Sequence, residues 1–184
     1  MSSLSCLRNP AGYHILSYGT LIGSTLFQSF INGIVAFRVL PRAQFSTLQK
    51  NIFPIYFALQ TIAPLCMIAT YPAGWRALVS GSTSAASASS HRLPFYLIST
   101  LFLTGAVNFL FIGPATTQVM QERKKQETRD GKKSYDKGPH SSEMEALNRK
   151  FGMLHGVSSL VNLVGIMGMV WYAFVLGEGL DVVV

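Results

Sequence analysis

Charge is what this chain has least of. Only 23 of its 184 residues are Asp, Glu, Lys or Arg, or 12%, against about 25% in a soluble domain. No such residue occurs in 9–37, 51–75, 93–121 or 151–177, which are runs of 29, 25, 29 and 27 residues. A helix needs about 20 apolar residues to cross a bilayer core, so each run is long enough and a soluble globular domain is excluded. Cysteine is also scarce. Cys66 lies inside an apolar run and Cys6 in the N-terminal tail, so a disulfide framework is not expected. No finger-spaced Cys/His set offers a metal site. The runs contain no carboxylate, and a Ser159–His155 pair would lack an orienting acid. The expectation is a non-enzyme with no catalytic residue, cofactor or metal.

What charge there is has a pattern. Twelve of the fifteen basic residues are Arg38, Arg42, Lys50 and the nine of 122–150. Membrane orientation explains this clustering, so the +7 net charge is not read as a nucleic-acid footprint. The expected fold is all-α, an integral membrane four-helix bundle with spans at about 13–37, 53–73, 93–117 and 151–176. Residues 1–12 and 178–184 form the tails. The first run is too long for a signal-peptide core and is read as a retained span. Phe45, Leu48 and Ile52, at i, i+3 and i+7, predict a short interfacial helix after it. Pro64 predicts a kink in span two. Ser80–Ser90 reads as a flexible linker. The charged loop 122–150 should be disordered in its middle, Asp130–Pro139, and Ser142 with Glu145 reads as a capping box that starts a helix near Glu143.

The positive-inside rule places the twelve basic residues in the cytoplasm and both termini outside, in the endomembrane system or plasma membrane, with a mitochondrial membrane still open. Tyr13, Tyr71, Trp75, Tyr96, Trp171 and Tyr172 then fall near the outer interface. At 1.5 Å per residue, Asn32 lies roughly 9 Å from the cytoplasmic end, His155 roughly 8 Å, Ser159 roughly 14 Å, Asn162 roughly 18 Å and Asn108 roughly 21 Å. His155, Ser159 and Asn162 share one face of span four, and Gln28 and Asn32 one face of span one. Buried amides need partners, so these faces are expected to turn toward each other. Interhelical glue is the plainest role for such a cluster, and a solute or proton pathway the sharper one. His14 lies at the opposite end from His155, so one haem would not bridge them. Met167 and Met169 point to different faces and read as packing. Gly19-x3-Gly23 and Gly152-x3-Gly156 match the small-xxx-small pattern, for contacts within the bundle or in a homo-oligomer.

Three stretches, in order, carry a resemblance. They are Gly23–Phe57, with Gly33, Phe37-Arg38-x-Leu40-Pro41-Arg42, Phe45, Gln49 and Phe53-Pro54-x-Tyr56-Phe57; Val107-Asn108 with Pro114-x-Thr116-Thr117 and Met120; and Phe151 with His155-Gly156-x-Ser158-Ser159-Leu160-x-Asn162-Leu163. Together they resemble the transmembrane protein 205 family of small multi-pass membrane proteins. The resemblance implies a four-helix membrane bundle and brings no reaction or substrate. Many relatives flank the matched proline with an acid and a base, where this chain has Gly113 and Ala115. The matched Arg38, Arg42, Thr116 and Thr117 are expected as interfacial anchors beside the polar site of Asn32, Asn108, His155, Ser159 and Asn162. Two functions follow as expectations. The first is a protein that organises or stabilises a membrane partner or compartment. The alternative is a small-solute or ion transporter that uses the polar cluster. The bilayer is the expected environment.

Overall fold

The computed structural model describes residues 6–80 and 85–181. Among these residues there is no strand, and the chain is a four-helix bundle. A 3-10 turn, Cys6–Arg8, leads to α1, Pro10–Leu26. Pro10 takes the first helical position, where its missing N–H costs nothing, and the Asn9 side chain accepts from Ala11 N at 3.0 Å. A π-helical turn, Phe27–Asn32, joins α1 to α2, Gly33–Val39. After Pro41 comes α3, Arg42–Ala69, then the short α4, Trp75–Ser80. A second π-helical turn, Asn108–Ile112, joins α5, Ala85–Val107, to α6, Gly113–Asp130. The long α7, Ser142–Asp181, closes the bundle. Four helical stretches are long and apolar enough to cross a membrane: Pro10–Val39, Arg42–Ala69, His91–Asp130 and Ser142–Glu178.

Packing runs α1 on α3, α3 on α5 and α5 on α7, while α1 meets α7 at one end, through His14, Tyr18, Met169 and Tyr172. One end of the bundle is tightly filled. Leu21, Met67, Ile98, Leu101 and Tyr172 there are no more than 1% exposed. The outer surface is the reverse of a soluble protein's. Ile55, Ile62, Leu103, Phe111, Leu160 and Phe174 are 57% to 70% exposed. Apolar side chains presented on every span need acyl chains as solvent, so the protein is a multi-pass membrane protein. Close backbone approach is set by glycine. A Cβ on Gly105 would stand 2.6 Å from the Gln60 carbonyl oxygen, so only glycine lets α5 lie this close to α3.

Several local expectations are corrected. Residues 43–52 are helical, but they form the first turns of α3 and not a separate interfacial helix. The buried stripe Gln49, Tyr56, Gln60, Ala63 and Met67 runs down one face of a single rod, and packing along it holds the segment in line. Pro54 and Pro64 both lie within this helix. The Ser-rich linker is helical from Ala85, since Ala propagates helix and Ser does not stop it; residues 81–84 lie outside the described residues. The cap of α7 is Ser141, one residue before the expected capping-box serine: its Oγ accepts from Met144 N at 3.2 Å. The middle of loop 122–150 is ordered. The Glu127 carboxylate accepts from Ser134 N at 3.0 Å and Ser134 Oγ at 2.6 Å, and Lys133 stands 3.7 Å from it. Lys132 Nζ donates to Pro139 O at 2.8 Å. A polar composition predicts disorder only when nothing local satisfies the loop, and here these hydrogen bonds do. Tyr172 is no interfacial residue, for it is 1% exposed within the core. Gly19, Gly23, Gly152 and Gly156 have no packing neighbour within 4 Å among the described residues, whereas Gly165 and Gly168 pack on Thr104 and Leu101.

Candidate functional site

The two π-helical turns position the site. A π turn carries one extra residue, opens the ladder and recurs at functional positions. The first turn holds Gln28, Ser29 and Asn32, and the second starts at Asn108. Each closes on a glycine N–H: Gly33 donates to Gln28 O and Gly113 to Asn108 O. A Cβ on Gly113 would lie 2.8 Å from the Asn108 carbonyl, so the wide turn depends on glycine there. This accounts for the uncharged residue at 113.

Two amide chains start from span one. In the first, Asn32 Nδ2 donates to Gln28 Oε1 at 2.8 Å, and Gln28 Nε2 approaches Gln49 Oε1 at 3.5 Å. In the second, Asn162 of α7 donates from Nδ2 to Ser29 Oγ at 3.2 Å, while its Oδ1 accepts from Gln60 Nε2 at 2.8 Å and Tyr56 OH at 3.0 Å. Gln60 Nε2 also lies 3.3 Å from Thr25 Oγ1. Spans one, two and four are thus joined by side-chain amides in one half of the bundle. Asn108 stands apart, fully buried, with Oδ1 accepting from Ser158 Oγ at 2.8 Å.

The structure therefore brings Asn32 and Asn162 into neighbouring amide chains and leaves Asn108 in its own pair. His155 and Ser159 meet none of these amides. Ser159 Oγ donates to the His155 carbonyl at 2.8 Å, and the imidazole stacks on Phe151 at 6.0 Å and 1°. Both line a cleft of about 1040 Å³ instead. One wall is Gly33, Ile34, Phe37 and Arg38, the other Phe151, His155, Ser159 and Asn162, with Gln28 and Gln49 between them. The rim holds Arg38, Arg42, Arg123, Lys124 and Lys133 against the one carboxylate Glu127. Arg42 lies 3.7 Å over the Phe37 ring and Arg123 4.5 Å over the Phe151 ring. Burial weighs against the Arg123 charge and lowers its pKa, with Glu127 opposing that shift. At Glu127 burial pushes the carboxyl up, but the Ser134 hydrogen bonds and the charges of Lys133 and Lys124 prevail and hold it below its ordinary value. Thr116 bonds back to the Ile112 carbonyl at 2.7 Å and lines the same cleft, whereas Thr117 does not line it.

Gln60 belongs to the site although the sequence did not single it out, and so do Gln49 and Tyr56, which entered only as residues of the resemblance. Their signal is a polar stripe at i, i+7 and i+11 along span two, on one helical face. At the far end the His14 ring is wholly buried, with Nδ1 2.8 Å from Met67 O and Nε2 2.6 Å from Tyr172 OH. A carbonyl only accepts, so Nδ1 carries the proton and the Tyr172 hydroxyl donates to Nε2. This pair fixes packing away from the cleft. Among the described residues no group of three or more His, Cys, Asp or Glu is placed to hold a metal ion.

Comparison with known proteins bears on kinship rather than chemistry. No solved structure matches the chain. The xanthocillin biosynthesis cluster protein D of Aspergillus fumigatus is 29% identical over 177 residues, covering 96% of this chain and 95% of that protein. The model of a domain of unknown function, DUF4149, matches residues 16–125, a stretch that holds both π turns and the α3 polar stripe; this chain belongs to the DUF4149 family.

Proposed function

We propose that the chain is a non-enzymatic carrier of a small solute, of the transmembrane protein 205-like type, which takes its solute in the cleft between spans one and four. The observation that carries this reading is the cleft itself. A volume of about 1040 Å³ is at the upper end of small-molecule sites, and here it combines a cationic rim with an amide floor inside a membrane bundle. Polar groups at membrane depth are costly and concentrate on solute paths. The absence of carboxylates from the apolar runs favours binding over catalysis. The cationic rim supports a cytoplasmic cleft with both termini on the other side, in the endomembrane system or plasma membrane. The fungal relative's name ties that protein to a biosynthesis cluster, which is compatible with a small-molecule solute. The reading as an organiser of a membrane partner has less support, because the open cleft is a feature it does not use.

The test is release of solutes from proteoliposomes loaded with a mixed cellular extract of small metabolites. Wild-type protein should release at least one solute faster than protein-free vesicles, and Asn162→Ala should slow that release. Background release from wild-type vesicles for every solute detected would overturn the carrier reading.

A further inference from the structure

The chemistry of the cleft narrows what it takes. Hydrogen bonds in its floor run in one direction. Asn32 donates to Gln28 and Gln28 is turned to donate to Gln49, so the Gln49 carbonyl is occupied and its NH₂ is the end of the chain. That NH₂ has no partner, although Gln49 is only 7% exposed. Arg123 Nε, of the rim, is likewise buried without a partner. A buried donor left unpaired is costly, and two residues with such donors line one cleft. Both need an acceptor.

The surrounding charge says which acceptor. Five cations face one carboxylate across this cleft, and among the described residues that carboxylate's only ion pair is with Lys133. Arg38 and Arg42 have no acidic partner among the described residues. The lower walls are apolar. Ile34 and Phe37 are 46% and 48% exposed and line the cleft beside His155 and Ser159. Since α2 packs on α3 and not on α7 among the described residues, the cleft opens sideways between spans one and four, where acyl chains lie in a bilayer.

We propose that the cleft binds a single amphiphile with an anionic oxygen headgroup. The headgroup accepts hydrogen bonds from Gln49 Nε2 and Arg123 under the field of Arg42, and the acyl chain leaves between spans one and four. The proposal rests on the cleft being a binding site, as the carrier reading requires, and it names the ligand class. Carboxylate and phosphate headgroups share this chemistry. A free fatty acid or an anionic phospholipid of the same leaflet would supply it.

The test uses full-length protein purified in a non-ionic detergent and titrated with radiolabelled oleate. Monoolein serves as the uncharged probe of equal chain length and inorganic phosphate as the headgroup without a tail. Oleate should bind saturably at one site per chain, with monoolein about tenfold weaker or worse and phosphate not bound. Gln49→Glu replaces the free donor by an acceptor of the same shape and should weaken oleate by about tenfold or more. Arg42→Gln, at the exposed rim, should weaken it several-fold and flatten its salt dependence, and it keeps the test intact if Gln49→Glu does not fold. Competition by phosphatidylglycerol would support the proposal and assign the ligand to the bilayer; resistance to it would support the proposal with a free fatty acid. Equal binding of monoolein, binding of phosphate alone, or unchanged oleate affinity in both folded variants would overturn it. If oleate and phosphatidylglycerol fail to bind while the proteoliposomes still release a solute, this inference falls and the carrier reading stands. Oleate binding without any solute release keeps the amphiphile site and removes the carrier.

Discussion

Gln60 and Asn162, 102 residues apart, share a 2.8 Å hydrogen bond across spans two and four, and the same Asn162 oxygen accepts from Tyr56. One amide thus satisfies two buried donors and, through its own NH₂, the Ser29 hydroxyl of span one. Intramembrane hydrogen bonds contribute about 0.6–2 kcal/mol each. Asn162→Ala removes three at once, so it should destabilise the bundle by about 1–3 kcal/mol. Asn32→Ala, which loses one part-buried bond to its own helix, should cost about 1 kcal/mol or less. Reversible unfolding of both variants in bicelles by a denaturing detergent gives the comparison, and equal losses would contradict this account of the network.

Helix approach offers a second check. A methyl on Gly105 meets the Gln60 carbonyl at 2.6 Å and the Thr61 nitrogen at 3.0 Å, all of it backbone that has no rotamer to yield. Gly105→Ala should force α3 and α5 apart and cost about 1–3 kcal/mol. Gly19→Ala, with nothing within 4 Å among the described residues, should be near neutral in the monomer. Thermal unfolding in detergent distinguishes them. A large loss at Gly19 would instead place that face in an interface between copies.

The two checks show how much the sequence could say. Counting gaps in charge located four spans, because the bilayer's demand for uncharged length leaves its mark in composition. Position along the bundle was legible too: a rise of 1.5 Å per residue put Asn32, Asn108, His155 and Asn162 toward one end of their spans, and the structure brings Asn162 to Ser29 of span one and Asn108 to Ser158. Azimuth was not legible. A π turn adds one residue, which rotates everything beyond it by about 100°, and nothing in Phe27–Asn32 or Asn108–Ile112 announces it except the glycine that follows each. In the structure Asn108 pairs with Ser158 rather than with the other amides, and Gln60 and Tyr56, not His155, meet Asn162. The loop after α6 failed for a different reason. Its order depends on particular contacts, Glu127 with Ser134 and Lys132 with the Pro139 carbonyl among them, that composition does not encode.

Sidedness is open to a direct measurement. With Cys6 and Cys66 replaced by serine, a single cysteine at Ser84 or at Lys137 reports each side of the membrane to an impermeant maleimide. Lys137 is exposed and is not the lysine paired with Glu127. In sealed membrane vesicles with the cytoplasmic face outward, Lys137→Cys should label before permeabilisation and Ser84→Cys only after it. Labelling of both from the same side would refute the four-span orientation.

The Glu127 contacts give a pH dependence with a definite sign. The carboxyl is held below its ordinary value of 4.5 in the folded protein because its neighbours favour the charged form. Its contribution is therefore complete above the unfolded value and is lost as pH falls from about 4.5 through the lower folded value. Trypsin cleavage after Lys132 and Lys133 should stay slow at neutral pH, where Glu127 holds the loop by Ser134 and Lys133. Since trypsin is inactive in acid, amide hydrogen exchange across 131–141 follows the lower range and should show protection, corrected for intrinsic rates, falling below pH 4.5. Glu127→Gln cannot hold Lys133 by charge, so its loop should be cut faster at neutral pH and show no further loss of protection in acid. A loop protected equally in wild type and Glu127→Gln at neutral pH would mean that other contacts order it, and the cleft rim would then not depend on this carboxylate.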